Sequence, residues 1–139
     1  MSPSQRFKPI QKIASHHERK AAAALGESLK QREAAMQRLD ELRQYLAEYL
    51  ERFSRAVASG LSGSQVMEYQ VFIGKLETAI EHQEKVVLQS QQACASTKEQ
   101  WRGRYTKSKA MENAVDRLSQ AERLHSFPTR RSSDRKSVV

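Results

Sequence analysis

The side chains in this sequence that can ligate a metal or attack a substrate are few and widely spaced. His16 and His17 are adjacent, so on a helix they would point about 100° apart, which disfavours chelation of one ion. His82 lies between Glu81 and Glu84, a pattern typical of a solvated helix face. The lone cysteine, at position 94, has no histidine near it and reads as a small buried hydrophobe.

Catalytic motifs with a known structural role are also missing from the sequence. It contains no GxxxxGK phosphate loop, no GxSxG nucleophile elbow and no HExxH zinc motif. A single cysteine rules out a disulfide framework and a cysteine-rich zinc site. We therefore expect no enzymatic activity, no metal and no cofactor.

The composition predicts long helices. The chain has 139 residues, of which 38% are hydrophobic and 6% aromatic, with only five Gly and three Pro. Sandwiches, barrels and α/β enzymes need many turns, and turns consume Gly and Pro. The interior is instead rich in Ala, Glu, Gln, Arg, Lys and Leu, as in coiled coils. No apolar run approaches the roughly 18 residues of a membrane span, and the N-terminus lacks the apolar core of a secretory signal. We expect a cytoplasmic protein.

Two long stretches predict one all-α domain over residues 1–124, a long two-helix antiparallel coiled-coil hairpin. The helices are expected at about 10–59 and 64–124, with a turn at about 60–63. Gly60 can take the positive φ that ends a helix, and Ser62 or Ser64 can cap the next one. So short a connection places its two helices side by side.

Apolar residues at heptad spacing predict the seam between the helices. On the second helix one row is Val66, Ile73, Ile80, Val87, Cys94, Trp101, Ser108 and Val115. Its companion row is apolar at both ends and polar in the middle: Tyr69, Leu76, Gln83, Ser90, Thr97, Arg104, Met111 and Leu118. On the first helix the seam is clearest at Leu39, Leu42, Leu46, Tyr49 and Phe53.

The last residues, 125–139, break this pattern. They are rich in Ser and Arg, contain Pro128 and have no apolar period. We predict a disordered tail there, and its abrupt onset suggests sequence foreign to the natural chain.

Positive charge is concentrated in two segments of a chain whose net charge is +8. Residues 1–20 carry five basic residues against one acidic, and residues 95–110 carry the same ratio. A hairpin bent near Leu61 would place residue 20 opposite residue 102, so both segments meet at the open end. This excess favours either solubility or an acidic partner surface. Nucleic acid is the weaker partner, because no recognised nucleic-acid-binding motif accompanies the charge.

Aromatic residues are concentrated near the turn. Five of the nine lie there: Tyr45, Tyr49, Phe53, Tyr69 and Phe72. They either flank the seam and add burial, or form an exposed stripe for a partner, since Tyr and Phe suit binding surfaces.

Residues 69–81, YQVFIGKLETAIE, resemble the YQxFIxxLxxAI signature of the flagellar FliJ family. Trp101 and Arg102 also fit its pattern, as do Leu42, Tyr45 and Tyr49 on the first helix. The Ala-rich opening at residues 22–27 agrees as well. The resemblance covers about residues 6–124.

The resemblance implies a stalk-like coiled-coil component of the bacterial flagellar type III export apparatus. Such a protein inserts its open end into the export ATPase hexamer and promotes the assembly and activity of that ring. It also binds the cytoplasmic part of the membrane export gate and helps to cycle export chaperones, working in the cytoplasm at the inner membrane.

The resemblance also implies two sets of binding residues. Gate contacts fall on Leu42, Tyr45, Tyr49, Phe72, Leu76, Ala79 and His82. The basic open end, expected to bind the ATPase, comprises Lys12, Arg19, Lys20, Arg102, Arg104, Lys107 and Lys109. The chain departs from the family at two gate positions: Arg38 stands where the family has Gln, and His82 comes one residue early, with Gln83 in its slot.

Two alternatives stay open at the level of sequence. One is a basic coiled coil that binds nucleic acid, and the other is a purely structural coiled-coil adaptor.

Overall fold

Two long α-helices account for the chain in the computed structural model. Helix α1 spans Pro3–Ser59 and helix α2 spans Gly63–Val138. The structure describes the backbone of residues 2–138 and the side chains of residues 2–125, and no strand occurs within that backbone range. The predicted all-α, two-helix class is therefore confirmed. The predicted disordered tail, residues 125–139, lies outside the described side chains except for His125.

Helix α1 starts at Pro3 rather than near residue 10, where the sequence analysis placed it. Ser2 caps it: the Gln5 backbone N–H donates to Ser2 Oγ at 3.4 Å, and the Ser2 N–H donates to Gln5 Oε1 at 3.3 Å. This reciprocal pair is a capping box with Gln in the third helical position. Pro9 lies inside the helix, where it removes one backbone donor without ending the element.

The connection between the helices uses the residues that the sequence analysis singled out. Gly60 has a φ of 92°, and its N–H donates to the Val57 carbonyl at 3.1 Å. Ser62 then caps α2, because its Oγ accepts from the Gln65 N–H at 3.2 Å while Gln65 Oε1 accepts from the Ser62 N–H at 3.0 Å. The predicted roles of Gly60 and Ser62 are confirmed.

The chain divides into two compact units. We call residues 25–96 the turn unit, and residues 1–24 together with 97–139 the terminal unit. Each contains one segment of α1 and one of α2.

The core of the turn unit is the predicted seam. Its buried cluster contains Ala35, Leu39, Leu42, Ile80 and Val87, and Leu46, Ala79 and Val86 pack against it. Cys94 is also buried, as predicted for a seam position. Two polar side chains of the companion row have hydrogen-bond partners: Gln83 Nε2 donates to the Ala35 carbonyl of α1 at 3.0 Å, and Ser90 Oγ donates to the Val87 carbonyl of its own helix at 2.7 Å.

In the terminal unit both apolar and polar contacts hold the two helix segments together. Ala14 and Val115 are buried. Trp101 Nε1 donates to Glu18 Oε1 at 3.0 Å, which confirms the predicted opposition of residues near 20 and 102. At the far end Glu122 accepts from Ser4 twice, from the backbone N–H at 2.9 Å and from Oγ at 2.6 Å.

Substituting alanine for Gly60 and for Gly26 should change stability in opposite directions. Neither site has a neighbouring atom that an added Cβ would meet, but Gly60 alone has a positive φ. We expect Gly60→Ala to lower the free energy of unfolding by about 1 kcal/mol, because an L-residue is strained there. Gly26→Ala should raise it by up to about 1 kcal/mol, because Ala is the better helix former. Urea denaturation followed by circular dichroism measures both, and equal effects would contradict the role of Gly60.

The contact between Ser4 and Glu122 should make stability depend on pH. The side-chain and then the backbone hydrogen bond from Ser4 hold the pKa of Glu122 below its ordinary value of 4.5. A carboxylate with a lowered folded-state pKa stabilises the fold above its unfolded pKa, and this contribution is lost as pH falls through the folded value. Glu122→Gln should therefore lower Tm at neutral pH, and the gap to the parent protein should close in acid.

The control for that experiment is Asp116→Asn, which removes an exposed carboxylate from the same unit. We expect a smaller Tm change for it than for Glu122→Gln at neutral pH. A Tm gap for Glu122→Gln that stays constant between pH 7 and about pH 3 would contradict the assignment.

Candidate partner-binding surfaces

The five aromatic residues near the turn form one contiguous cluster within the turn unit. The ring of Tyr49 lies 4.5 Å from that of Phe72 and 5.3 Å from that of Tyr69, between centroids. Tyr45 meets Phe72 edge-on at 6.1 Å and 85°, and Phe53 lies 5.2 Å from Tyr69. Helical spacing explains the arrangement, because residues three or four apart lie on the same face of a helix. Tyr45, Tyr49 and Phe53 are four residues apart on α1, and Tyr69 and Phe72 are three apart on α2. We call these residues the aromatic cluster.

The aromatic cluster is partly buried at the seam and partly exposed, so both interpretations of these residues, added burial and an exposed stripe, apply in part. Tyr45 is 41% exposed, whereas the other four rings are half-buried. The rings pack against one another across the seam and leave one edge in solvent. Because ring–ring contacts limit their rotation, these side chains present apolar surface in a largely ordered form.

The remaining gate residues differ in accessibility. Leu42 and Leu76 are only 8% and 7% exposed. Ala79 packs against the hydrophobic core of the turn unit, whereas His82 is exposed. Leu42 and Leu76 therefore act mainly by packing the helices beneath the surface, and accessible area comes from the rings and from His82.

The two positions at which the chain departs from the family pattern have partners of their own. Arg38 forms an exposed ion pair with Glu41 at 3.7 Å. Gln83 is committed to the Ala35 carbonyl of α1, as described above. Both side chains are therefore engaged in contacts within this chain.

The predicted basic residues all lie in the terminal unit and are all exposed: Lys12, Arg19, Lys20, Arg102, Arg104, Lys107 and Lys109. Arg102 pairs with Glu99 at 3.2 Å, and Lys109 pairs with Glu112 at 3.3 Å, with its Nζ 5.8 Å from the ring centroid of Tyr105. Exposed pairs of this kind contribute little to stability. Among described residues, the other five form no ion pair, so most of the positive charge is uncompensated locally.

Beside these cations lies a concave feature that the sequence analysis did not anticipate. A cavity of about 180 Å³ opens between the two helix segments of the terminal unit. Its lining residues are Ile10, Ile13, Ala14, His17, Arg104, Lys107 and Met111. The feature of the sequence that could have indicated this cavity is the apolar pair Ile10 and Ile13, three residues apart on a segment otherwise rich in cations.

The described part of the chain has neither a metal-binding cluster nor a membrane-spanning stretch. No group of three or more His, Cys, Asp or Glu side chains is placed there to hold a metal ion. Within the same residues, neither helix contains a stretch long and apolar enough to cross a membrane.

Comparison with protein families gives a match that includes both surfaces. The model described as Flagellar FliJ protein matches residues 3–126. The chain belongs to the flagellar FliJ family. No curated protein and no solved structure matches it.

Membership of the FliJ family indicates a coiled-coil protein related to flagellar export. Members of this family are non-enzymatic components, and the all-helical structure of the chain fits that description. The matched range contains the whole aromatic cluster and all seven basic residues. It also extends to both ends of the predicted resemblance over residues 6–124 and confirms it.

Substitutions at Leu42 and Tyr45 should separate packing from surface roles. Leu42 is buried in the core cluster, so Leu42→Ala should lower the free energy of unfolding by about 2–3 kcal/mol. Tyr45 is 41% exposed, against 8% for Leu42, so Tyr45→Ala should cost about 1 kcal/mol or less, mostly from its ring contacts. Urea denaturation of both variants measures the difference, and an equal loss would show that Tyr45 is chiefly a packing residue.

Proposed function

We propose that this protein is the stalk-like component of the flagellar type III export apparatus. Its terminal unit binds the export ATPase hexamer and promotes the assembly and turnover of that ring, and its turn unit binds the cytoplasmic part of the export gate. It also engages export chaperones, and it works in the cytoplasm at the inner membrane. The observation that carries the proposal is the FliJ family match over residues 3–126.

The charge of the terminal unit supports the ATPase contact. Lys12, Arg19 and Lys20 are exposed and form no ion pair with a described carboxylate. A surface with uncompensated positive charge attracts an acidic partner and raises its rate of association. Complementary charge also orients the two proteins, which a stalk entering a ring requires.

The aromatic cluster supports the gate contact. Tyr and Phe side chains contribute large contact area, and binding energy at interfaces is concentrated in a few such residues. Here Tyr45, Tyr49 and Phe72 are already held by ring contacts before any partner arrives. Less conformational entropy is then lost on binding.

Turnover of the flagellar export ATPase, measured with and without the full chain, tests the first half of the proposal. We expect stimulation that coincides with assembly of the hexamer. The variant Lys12→Glu/Arg19→Glu should reduce this stimulation about tenfold or more, since it reverses two exposed charges of the proposed contact. Its matched control, Lys30→Glu/Lys75→Glu, makes the same charge change at exposed positions of the turn unit and should stimulate normally. Absence of stimulation by a well-folded parent chain would refute the ATPase role.

Binding to the cytoplasmic part of the export gate tests the second half. Tyr45→Ala/Phe72→Ala should weaken affinity about tenfold or more, because it removes two rings of the cluster, with little change in helicity. The control Met67→Ala/Val71→Ala removes apolar side chains that are 63% and 55% exposed and lie outside the cluster. Normal gate affinity in the Tyr45/Phe72 variant would exclude the aromatic cluster from the mechanism.

The same preparations test the two alternative functions. A nucleic-acid-binding protein should bind DNA or RNA with an affinity that falls steeply as salt rises, because counterion release dominates such binding. A purely structural coiled coil should sediment as a dimer or larger species and leave ATPase turnover unchanged.

A further inference from the structure

The terminal unit contains an amphipathic groove that its own packing leaves open. Its lining combines the apolar side chains of Ile10, Ile13 and Met111 with those of His17, Arg104 and Lys107. Ile10 and Ile13 are 48% and 58% exposed, which is high for isoleucine. We call this feature the cationic groove.

The groove arises from the small residue at the seam beside it. Ala14 is buried between the helices and fills little volume, so the larger Ile10 and Ile13 lie along its flank. The resulting hollow measures about 180 Å³. An apolar cavity of about 150 Å³ accommodates a benzene ring. The hollow is therefore large enough for one Leu-sized or Phe-sized side chain.

The cationic side chains of the groove differ from Arg102 and Lys109 of α2 in their ion pairing. Arg102 and Lys109 each pair with a glutamate on their own helix. Arg104 and Lys107, which line the groove, form no ion pair with any carboxylate among the described residues. A lining that combines apolar side chains with two uncompensated cations is complementary to a ligand that carries apolar groups and carboxylates together.

A second recess extends the groove along the helices. It shares His17 and Arg104 with the first cavity and continues past Lys20 to Ala24. From Ile10 to Ala24 the surface is about 21 Å long at 1.5 Å per residue, which matches about four turns of a partner helix. The lining positions repeat at spacings of three and four on both segments, as in helix-in-groove recognition.

We propose that the cationic groove docks an acidic amphipathic helix of a partner protein. One or more apolar side chains of that helix enter the cavity over Ile10, Ile13 and Met111. Carboxylates flanking its apolar stripe pair with Arg104 and Lys107. The inference does not require the ATPase role, since it specifies the chemistry of the bound segment whichever protein supplies it.

The concave shape favours a helix over an anionic membrane. A bilayer surface is flat on this scale and cannot enter a hollow between two helices, whereas interfacial binding requires a protruding apolar face. The exposed apolar residues here line a recess with cations at its edge.

Binding of a defined peptide to the full chain tests the proposal. The probe is a fluorescein-labelled, side-chain-stapled helix of about 14 residues, with leucines at spacings of three and four and glutamates on either side. Its control has the same composition and staple, but its leucines are distributed around the helix. We expect the patterned peptide to raise fluorescence anisotropy at concentrations at which the control does not.

Variants of the chain locate the binding site. Arg104→Glu/Lys107→Glu should weaken binding about tenfold or more, with a loss that shrinks as salt rises. Ile13→Gln should weaken binding about fivefold at every salt concentration, because it removes an apolar contact. Lys98→Glu/Arg117→Glu makes the same charge change at exposed positions of this unit outside the groove, and should bind nearly as the parent chain does. Circular dichroism and Tm confirm that each variant is folded.

Three results would overturn the proposal. The first is equal binding of the patterned and control peptides. The second is an equal loss of peptide affinity in the groove variant and in the control charge variant, because that result indicates nonspecific electrostatic attraction. The third is groove-dependent binding to anionic phosphatidylglycerol vesicles with none to the peptide, which assigns the surface to a membrane.

The result of the peptide-binding experiment can be distinguished from the result of the ATPase experiment that tests the proposed function. Loss of peptide binding in Ile13→Gln with normal ATPase stimulation would leave the groove as a site for another partner. Stimulation of the ATPase without any peptide binding by the parent chain would uphold the proposed function and reject the groove.

Discussion

Apolar contact between two antiparallel helix segments is the interaction on which the rest of this structure depends. In the turn unit Leu39 and Leu42 of α1 and Ile80 and Val87 of α2 form the buried cluster. Each helix has only one neighbour, so only one stripe of it can be covered, and no large side chain among the described residues is fully buried. Stability must therefore come from many partly buried residues along the seam, since no compact core is available to supply it.

That constraint also determines where binding can occur. Two helices do not enclose a substrate, and the recesses described above lie beside the seam and are open to solvent. Where the seam carries rings, as at Tyr49 and Phe72, the flanks present ordered aromatic surface. Where it carries the small Ala14, the flanks present a hollow bordered by cations. The residue at the seam thus decides the chemistry of the surface next to it, and in this protein the two units differ for that reason.

Polar contacts set the register that apolar heptads alone leave open. Gln83 reaches the Ala35 carbonyl in the turn unit, and Trp101 donates to Glu18 in the terminal unit. Ser4 and Glu122 add a third such pair. A shift of one heptad would keep apolar residues facing one another but would break these bonds and leave part-buried donors unsatisfied. A polar residue that specifies register at some cost in burial is a known device of coiled coils.

Local backbone preference and a period of seven are enough to specify two helices, the turn at Gly60, the cap at Ser62 and the seam rows of the turn unit. In the terminal unit the companion row fails at Arg104, which is exposed. The sequence also led to the correct family through residues 69–81. Only the folded structure shows that Pro9 lies within α1, that Leu42 and Leu76 are buried while Tyr45 is exposed, and that Ile10 and Ile13 meet Arg104 and Lys107 in one groove. These features depend on which residues of the two segments lie opposite each other. That pairing is set by long-range contacts such as the one between Ser4 and Glu122, which no local pattern encodes.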